Sequence, residues 1–179
     1  MSLRTLFSAP EVEARIAELG ARLYRDYADS PLAIVCVAEG ARRFVAALLA
    51  EFEKRGPLAP EVHEVRVRRT RGSALGAVEV EAFDPERLED RDVLVVDDVA
   101  DEGRTLRAVL ELVALAEVRS VHTAVLVNKL ERRRERLSLD YVGFEVEQGW
   151  VVGFGMDLDG RHRELDEIAV VEDAPGRAG

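Results

Sequence analysis

The sequence is poor in cysteine, histidine and lysine, and the scarcity of the first two excludes whole classes of site. Cys36 is the only cysteine and lies in an apolar run, which excludes a disulfide framework and predicts a reducing, cytoplasmic location. The three histidines are scattered, so we expect no zinc centre of histidine and cysteine ligands. No apolar run approaches the roughly 20 residues that a membrane helix needs, and the first residues lack the pattern of a signal peptide. We therefore expect no membrane association.

Positive charge is also in short supply. The 35 acidic residues outnumber the 25 basic ones and leave a formal net charge of −10. Because duplex nucleic acid is bound mainly through cationic contacts, we expect no nucleic-acid partner. A small anionic substrate is still compatible with this charge, since it needs only a local cradle and a metal ion. With 47% hydrophobic residues, the chain is expected to form one domain over residues 1–172, followed by a mobile tail over 173–179.

Apolar runs of strand length alternate with segments of helical periodicity along most of the chain. The predicted helices cover about residues 9–27, 41–54 and 101–116, and the predicted strands cover about 32–38, 62–68, 78–82, 93–96, 121–127, 141–144 and 168–171. Strands that alternate with helices form parallel sheets with right-handed crossovers. The pattern therefore predicts an α/β fold with a doubly wound, mostly parallel sheet flanked by helices, which the last strand is expected to close.

An acidic turn follows the most apolar of the predicted strands. Residues 93–96 are all apolar, and Asp97 and Asp98 come directly after them. Parallel α/β sheets bind their ligands at the carboxyl ends of the strands, which is where this turn lies. Residues 101–105 begin the next predicted helix, whose free N–H groups suit a phosphate, while carboxylates suit ribose hydroxyls or a hydrated divalent cation. The turn therefore predicts a site for a sugar phosphate and a metal, unless Asp101 merely caps the helix and the other acids are ordinary loop residues.

Four separated segments carry a resemblance to a known family. Residues 95–106 are similar to the phosphoribosyl-pyrophosphate motif of type I phosphoribosyltransferases: apolar residues, two acids, two apolar residues, Asp, Thr or Ser, Gly, any residue, Thr. Within that family the chain most resembles the hypoxanthine-guanine phosphoribosyltransferases. Residues 14–20 resemble their first helix, and Asn128 with Lys129 matches their strand-end lysine. Residues 150–157 match their aromatic-Val-Val-Gly-Tyr-Gly-Ile-Asp segment, and Arg163 follows at the family's spacing.

The resemblance implies a fold, a reaction and partners. It implies a type I phosphoribosyltransferase-like domain with a small hood formed by the terminal segments. It also implies a Mg²⁺-dependent purine salvage enzyme, which transfers the phosphoribosyl group from phosphoribosyl pyrophosphate to hypoxanthine, guanine or xanthine. Its relatives are commonly dimers or tetramers, so a homodimer or homotetramer is expected.

The resemblance further implies a role for each matched residue. Asp101 would be the catalytic base or proton acceptor near the purine N7, and Lys129 would bind the 6-oxo group. The implied phosphoribosyl-binding residues are Asp97, Asp98, Asp101, Glu102, Gly103, Arg104 and Thr105. The implied base-binding residues are Lys129, Trp150 and Val151, the pyrophosphate-binding residues are Glu39, Gly40 and Arg163, and the metal ligands are Asp97, Asp98 and Asp157.

Three positions depart from the family pattern. Glu39 stands where the family carries Lys or Arg before a glycine, and an acid facing pyrophosphate is unfavourable. Residues 69–73 are shorter than the family's mobile catalytic loop and contain no tyrosine. Glu102 replaces a Thr or Ser and would compete with a bound phosphate, although an acid suits a helix N-terminus. Candidate replacement cations are Arg42, Arg43, Arg68, Arg69 and Arg71.

These departures keep alternatives open. One is a catalytically weak protein of the same fold that binds or senses nucleotides. Another is an α/β domain whose acidic cluster binds no such ligand. Taken without the resemblance, Lys129 also reads as an exposed lysine at a strand end, and Trp150 as ordinary core packing.

Overall fold

The computed structural model describes residues 2–37, 39–69, 78–81, 83–131 and 137–172. Within these ranges there are three α-helices, α1 (Ala9–Tyr27), α2 (Ala41–Glu53) and α3 (Arg104–Val113). The strands are β1 (Leu3–Phe7), β2 (Leu32–Val37), β3 (Glu61–Arg69), β4 (Val78–Glu81), β5 (Asp92–Ala100), β6 (Ser120–Lys129), β7 (Tyr141–Val146), β8 (Trp150–Val152) and β9 (Ile168–Val171). The expected tail over 173–179 and the shortened loop beyond Arg69 lie outside the described residues. No described helix has the length and apolarity needed to cross a membrane.

The main sheet has the strand order β4-β3-β2-β5-β6-β7. Strands β3, β2, β5, β6 and β7 are parallel, and β4 runs antiparallel to β3 at one edge. Successive residues of β5 face opposite layers: Leu94 packs with the core under α1 and α2, while Val95 packs with the core under α3. This two-sided burial explains the continuous apolar runs and confirms the predicted doubly wound α/β fold.

A second, three-stranded antiparallel sheet has the order β1-β9-β8. It confirms the small hood of terminal segments, but the prediction that residues 168–171 close the main sheet is wrong. A short apolar run shows that a strand is buried, not which sheet it joins. The hood is attached to the main sheet by stacking of Phe7 on Phe144, whose ring centroids lie 4.1 Å apart.

The acidic stretch belongs to a strand for longer than the sequence pattern suggests. Strand β5 pairs with β6 as far as Ala100, which lies beside Asn128. The predicted turn at Asp97 and Asp98 is therefore wrong, because both residues are still in β5. Helix α3 begins at Arg104 rather than at the predicted residue 101, and it ends at Val113 rather than near residue 116.

At the amino ends of the parallel strands, one carboxylate links the starts of three of them. Ser30 and Ser120, which precede β2 and begin β6, each donate a hydroxyl hydrogen bond of 2.6 Å to Asp92 at the start of β5. The hydrogen bonds from Ser120 and Ser30 hold the pKa of the Asp92 carboxyl below its usual value. Asp92 therefore aligns the first residues of three central strands, at the end of the sheet away from the acidic stretch.

We expect Asp92→Asn to lower the free energy of unfolding at pH 7 by about 1–2 kcal/mol, because two charge-assisted hydrogen bonds become neutral ones. A carboxyl whose pKa is lowered on folding stabilises the protein above the unfolded pKa and loses that effect as pH falls. The difference from wild type should therefore shrink below about pH 4. Urea unfolding between pH 3 and 7 measures it. Asp90→Asn, an exposed neighbour, is the control, and an equal loss in both variants would contradict the assignment.

Candidate active site

A pocket of about 470 Å³ opens at the carboxyl ends of β5 and β6. Its floor is the end of β5 and the turn that leads into α3, residues 97–106. Lys129 closes one side, and the hood supplies Trp150, Val151, Met156 and Asp157. The pocket thus brings together the predicted phosphoribosyl-binding and base-binding residues with Asp157. Sequence reasoning missed Val67 and Met156, which are apolar lining residues without a chemical signature.

The turn before α3 leaves the helix N-terminus open. Gly103 occupies the N-cap position with φ 86°, a left-handed conformation that suits glycine, and no described side chain caps the helix. The interpretation of Asp101 as a helix cap is therefore wrong. The Glu102 carboxylate lies 3.4 Å from Arg104 Nε instead of bonding to the helix amides. Because the first N–H groups of a helix attract anions, this turn suits a phosphate.

Asp97 and Asp98 form a hydrogen-bonded pair on β5. The Asp97 side chain accepts a 3.0 Å hydrogen bond from the Asp98 amide, and the Asp98 side chain accepts one of 2.8 Å from the Val99 amide. Burial raises the pKa of the Asp98 carboxyl, while its hydrogen bonds with the Asp97 side chain and the Val99 amide, together with the charge of Arg163, act against it. Gly40 lies directly against this carboxylate, since a Cβ at that position would overlap Asp98 Oδ2.

Lys129 and Asp101 form an ion pair inside the pocket. Lys129 is 5% exposed, so its interpretation as a surface lysine is wrong. Its Nζ donates to Asp101 Oδ2 at 3.2 Å. The other carboxylate oxygen, Asp101 Oδ1, is buried and has no hydrogen-bond partner among the described residues. One oxygen is thus anchored to the lysine, and the other has an unused capacity to accept a hydrogen bond.

The hood contributes a second pair. Arg163 Nη2 lies 2.8 Å from Asp157 Oδ1, and its Nη1 donates to the Gly155 carbonyl at 2.9 Å. Trp150 donates its indole N–H to the Asp157 carbonyl at 3.1 Å and packs on the small hood core, as its interpretation as core packing predicts, and it also lines the pocket. Glu39, which is mostly exposed, lies 3.9 Å from Arg163.

Not every predicted residue lines the pocket. Glu39, Gly40 and Arg163 are not among its described lining residues, and they reach it through Asp98 and Asp157. Of the candidate replacement cations, Arg42 is bound to Glu64, and Arg43 is bound to the hood. The side chains of Arg68, Arg69 and Arg71 lie outside the described part of the chain.

A metal site is present only in part. Within the described ranges, no group of three histidine, cysteine or acidic residues is arranged to hold a metal. The pocket does offer oxygen donors, the carboxylates of Asp97, Asp98 and Asp157. Magnesium is commonly held by one or two carboxylates together with water and substrate phosphates, so this donor set fits Mg²⁺ if a substrate supplies the remaining ligands.

Comparisons with known proteins agree on one family. A family model described as a phosphoribosyl transferase domain matches residues 2–159. The hypoxanthine-guanine phosphoribosyltransferase of Bacillus subtilis is 33% identical over 172 residues, which cover 96% of this chain and 94% of the relative. That of Dictyostelium discoideum is 27% identical over 175 residues, with 97% of each chain covered. A solved hypoxanthine phosphoribosyltransferase from Staphylococcus aureus superposes with a TM-score of 0.86 at 26% identity, over 94% of this chain and 91% of that chain.

We expect Lys129→Met to lower the free energy of unfolding by about 1–2 kcal/mol, because it leaves the half-buried Asp101 carboxylate without its cation. Adding Asp101→Asn should recover part of the loss, since the unpaired charge is then gone. A double-mutant cycle by urea unfolding at pH 7 measures the coupling. Lys54→Met is the matched control, because that lysine is 64% exposed and its partner Glu51 keeps Arg55. Additive losses at Lys129 and Asp101 would contradict the pairing.

Proposed function

The chain belongs to the phosphoribosyl transferase family, and we propose that it is a purine phosphoribosyltransferase. It transfers the 5-phosphoribosyl group from phosphoribosyl pyrophosphate to a 6-oxopurine (hypoxanthine, guanine or xanthine) and releases pyrophosphate. The observation that carries this proposal is the state of Asp101, whose one oxygen is bound by Lys129 while the other is buried and unpartnered among the described residues. Assembly as a homodimer or homotetramer is part of the same proposal.

The base is held by groups that distinguish a 6-oxopurine from adenine. The Lys129 ammonium is a donor only, so it matches a carbonyl oxygen and not the amino group of adenine. The free Asp101 oxygen is an acceptor and matches the N7–H of the base. Trp150 and Val151 line the same pocket, where an aromatic face can stack on the purine and backbone groups can read its edge.

The phosphoribosyl group occupies the β5–α3 side of the pocket. The 5′-phosphate lies on the backbone amides of residues 101–105, where the uncapped helix favours an anion. Asp97 and Asp98 accept hydrogen bonds from the ribose hydroxyls. Asp97, Asp98 and Asp157 would hold magnesium, which when bound neutralises the charge that develops on the leaving pyrophosphate. Arg163, already beside Asp157, adds a cation for the same group.

The chemistry moves one proton and exchanges one bond at the anomeric carbon. The bond from C1′ to the pyrophosphate oxygen breaks, and pyrophosphate leaves with the electron pair. The purine N9 lone pair forms the new bond to C1′, while the N7 proton passes to the free oxygen of Asp101. The carboxylates near C1′ favour its partial positive charge in the transition state.

The direct test supplies the protein with phosphoribosyl pyrophosphate, Mg²⁺ and each purine base, and measures nucleotide by chromatography. We expect IMP, GMP or XMP, little AMP, and a fall in kcat of about 100-fold or more for Asp101→Asn, which removes the proton acceptor. Glu145→Gln, an exposed acid on β7, should keep wild-type rates. No product with any purine would refute the proposal. Nucleotide binding without turnover would instead identify the catalytically weak binding protein.

Glu39 offers a separate test of the pyrophosphate side. Its carboxylate lies near Arg163 and should compete with pyrophosphate for that arginine. We expect Glu39→Gln to lower the KM for phosphoribosyl pyrophosphate by about two- to fivefold, the size of effect typical of an exposed ion pair, and Glu39→Lys to lower it further. Steady-state kinetics at fixed purine measures this, with Glu53→Gln as the control. A higher KM in Glu39→Lys would show that Glu39 helps binding.

A further inference from the structure

Arg43, in the first turn of α2, makes several contacts to the hood, although the proposed reaction gives it no role. Its Nη1 lies 3.2 Å from the carbonyl oxygens of both Arg163 and Glu164, and 2.7 Å from that of Leu165. Its Nη2 pairs with the Asp166 carboxylate. The guanidinium also covers the ring of Phe154, with its central carbon 4.4 Å from the ring centroid. One side chain therefore contacts both ends of the segment formed by residues 153–166.

These contacts reinforce the hydrogen bonds that close residues 153–166 on themselves. The Phe154 amide donates to the Leu165 carbonyl at 2.8 Å, and the Gly155 amide donates to the Arg163 carbonyl at 3.0 Å. Arg43 donates to the same two carbonyls from the other direction. Loss of the guanidinium would leave these links intact but remove their connection to α2.

The backbone of residues 153–166 needs such support. Phe154, Asp159 and His162 have φ values of 48°, 53° and 74°, which non-glycine residues adopt only at a cost in energy. Met156 is buried in the main core, but residues 159–161, 164 and 166 are exposed, so the second half of the segment has little apolar packing of its own. A conformation of this kind persists when surrounding contacts determine it, and Arg43 supplies a group of them.

The segment also carries chemistry. Asp157 and Arg163 both lie on it, and the Gly155 backbone rests against the Gly40 carbonyl so closely that a Cβ would overlap it. By contrast, Lys129 lies on β6 and Trp150 on β8, strands held by their own sheets. Displacement of residues 153–166 would thus disturb mainly the metal and pyrophosphate side. On the base side it would affect the hydrogen bond from the Trp150 indole to the Asp157 carbonyl, while β8 still holds Trp150 itself.

We propose that Arg43 is a positioning residue, which holds residues 153–166 so that Arg163 and Asp157 can bind the pyrophosphate end of the substrate. This inference rests on the proposed function for the identity of that ligand. The role depends on hydrogen-bond geometry, because the planar guanidinium spans three carbonyls and a carboxylate, which a single ammonium cannot do.

The test compares Arg43→Met with Arg42→Met, which loses the same charge one position earlier but contacts Glu64 and not the hood. Two ligands are titrated in the presence of Mg²⁺: phosphoribosyl pyrophosphate, and IMP, which has no pyrophosphate. For Arg43→Met we expect the Kd of phosphoribosyl pyrophosphate to rise by about tenfold, the scale of a misplaced binding group, and that of IMP to change far less. Arg42→Met should change neither. An equal loss for both ligands, or no loss for either, overturns the proposal.

Arg43→Lys separates position from charge and serves the same purpose if Arg43→Met does not fold. It should weaken phosphoribosyl pyrophosphate binding almost as much as Arg43→Met, and wild-type affinity would overturn the proposal in favour of a simple charge effect.

Amide hydrogen exchange at Phe154 and Gly155 gives a readout that needs no ligand. Faster exchange in either Arg43 variant, but not in Arg42→Met, is expected, and unchanged exchange overturns the positioning role. A wild-type protein that binds neither ligand would instead refute the proposed function, while exchange still decides the role of Arg43.

Discussion

The parallel pairing of β5 with β6 is the constraint on which the rest of the site depends. It continues as far as Ala100 and Asn128. Because the pairing persists, Asp97 and Asp98 are held in an extended backbone instead of a loose turn. It also brings the end of β6 next to the turn before α3, so that Lys129 reaches Asp101 at 3.2 Å. The two sides of the pocket, which the proposed function assigns to the base and to the phosphoribosyl group, are thus adjacent because two strands end together.

The basic side chains in and beside the pocket are already paired with acidic side chains. Lys129 lies beside Asp101, Arg163 beside Asp157, and Arg104 beside Glu102. An anionic substrate must therefore share or displace a carboxylate at each cation, and a divalent metal would offset that repulsion. The net charge of −10 on the whole chain also repels an anionic substrate.

The contiguous part of the site was predictable from the sequence because its residues are neighbours in the chain. Residues 97–105 combine acids, a glycine and a threonine within one short stretch, and that pattern indicates a phosphate site by itself. Lys129 and Trp150 needed the family resemblance, since a lone lysine or tryptophan has no specific pattern. The doubly wound sheet followed from the alternation of apolar runs with helical periodicity.

Other features depend on contacts that no local pattern reports. Strand β1 has mostly exposed residues and becomes a strand only by pairing with β9, in which Leu3 lies beside Val171, 168 positions later. The end of β5 was placed too early because acidic residues usually favour turns, whereas pairing with β6 keeps these in the sheet. Arg43 looked like a spare cation, and its true partners are backbone carbonyls about 120 residues away.

The hood explains why a strained segment is tolerable at this position. Left-handed backbone at Phe154, Asp159 and His162 costs stability, yet it turns the chain tightly enough to carry Asp157 and Arg163 over the edge of β5. A loop without these constraints could connect the same strands, but it would be more mobile. The conformational entropy lost on ordering it would then weaken substrate binding. Contacts from Arg43, and the close approach of the Gly155 backbone to the Gly40 carbonyl, fix that conformation during folding instead. The two large core clusters lie mainly elsewhere in the fold and supply the stability that offsets this cost, so the side of the pocket that carries Asp157 and Arg163 can stay rigid.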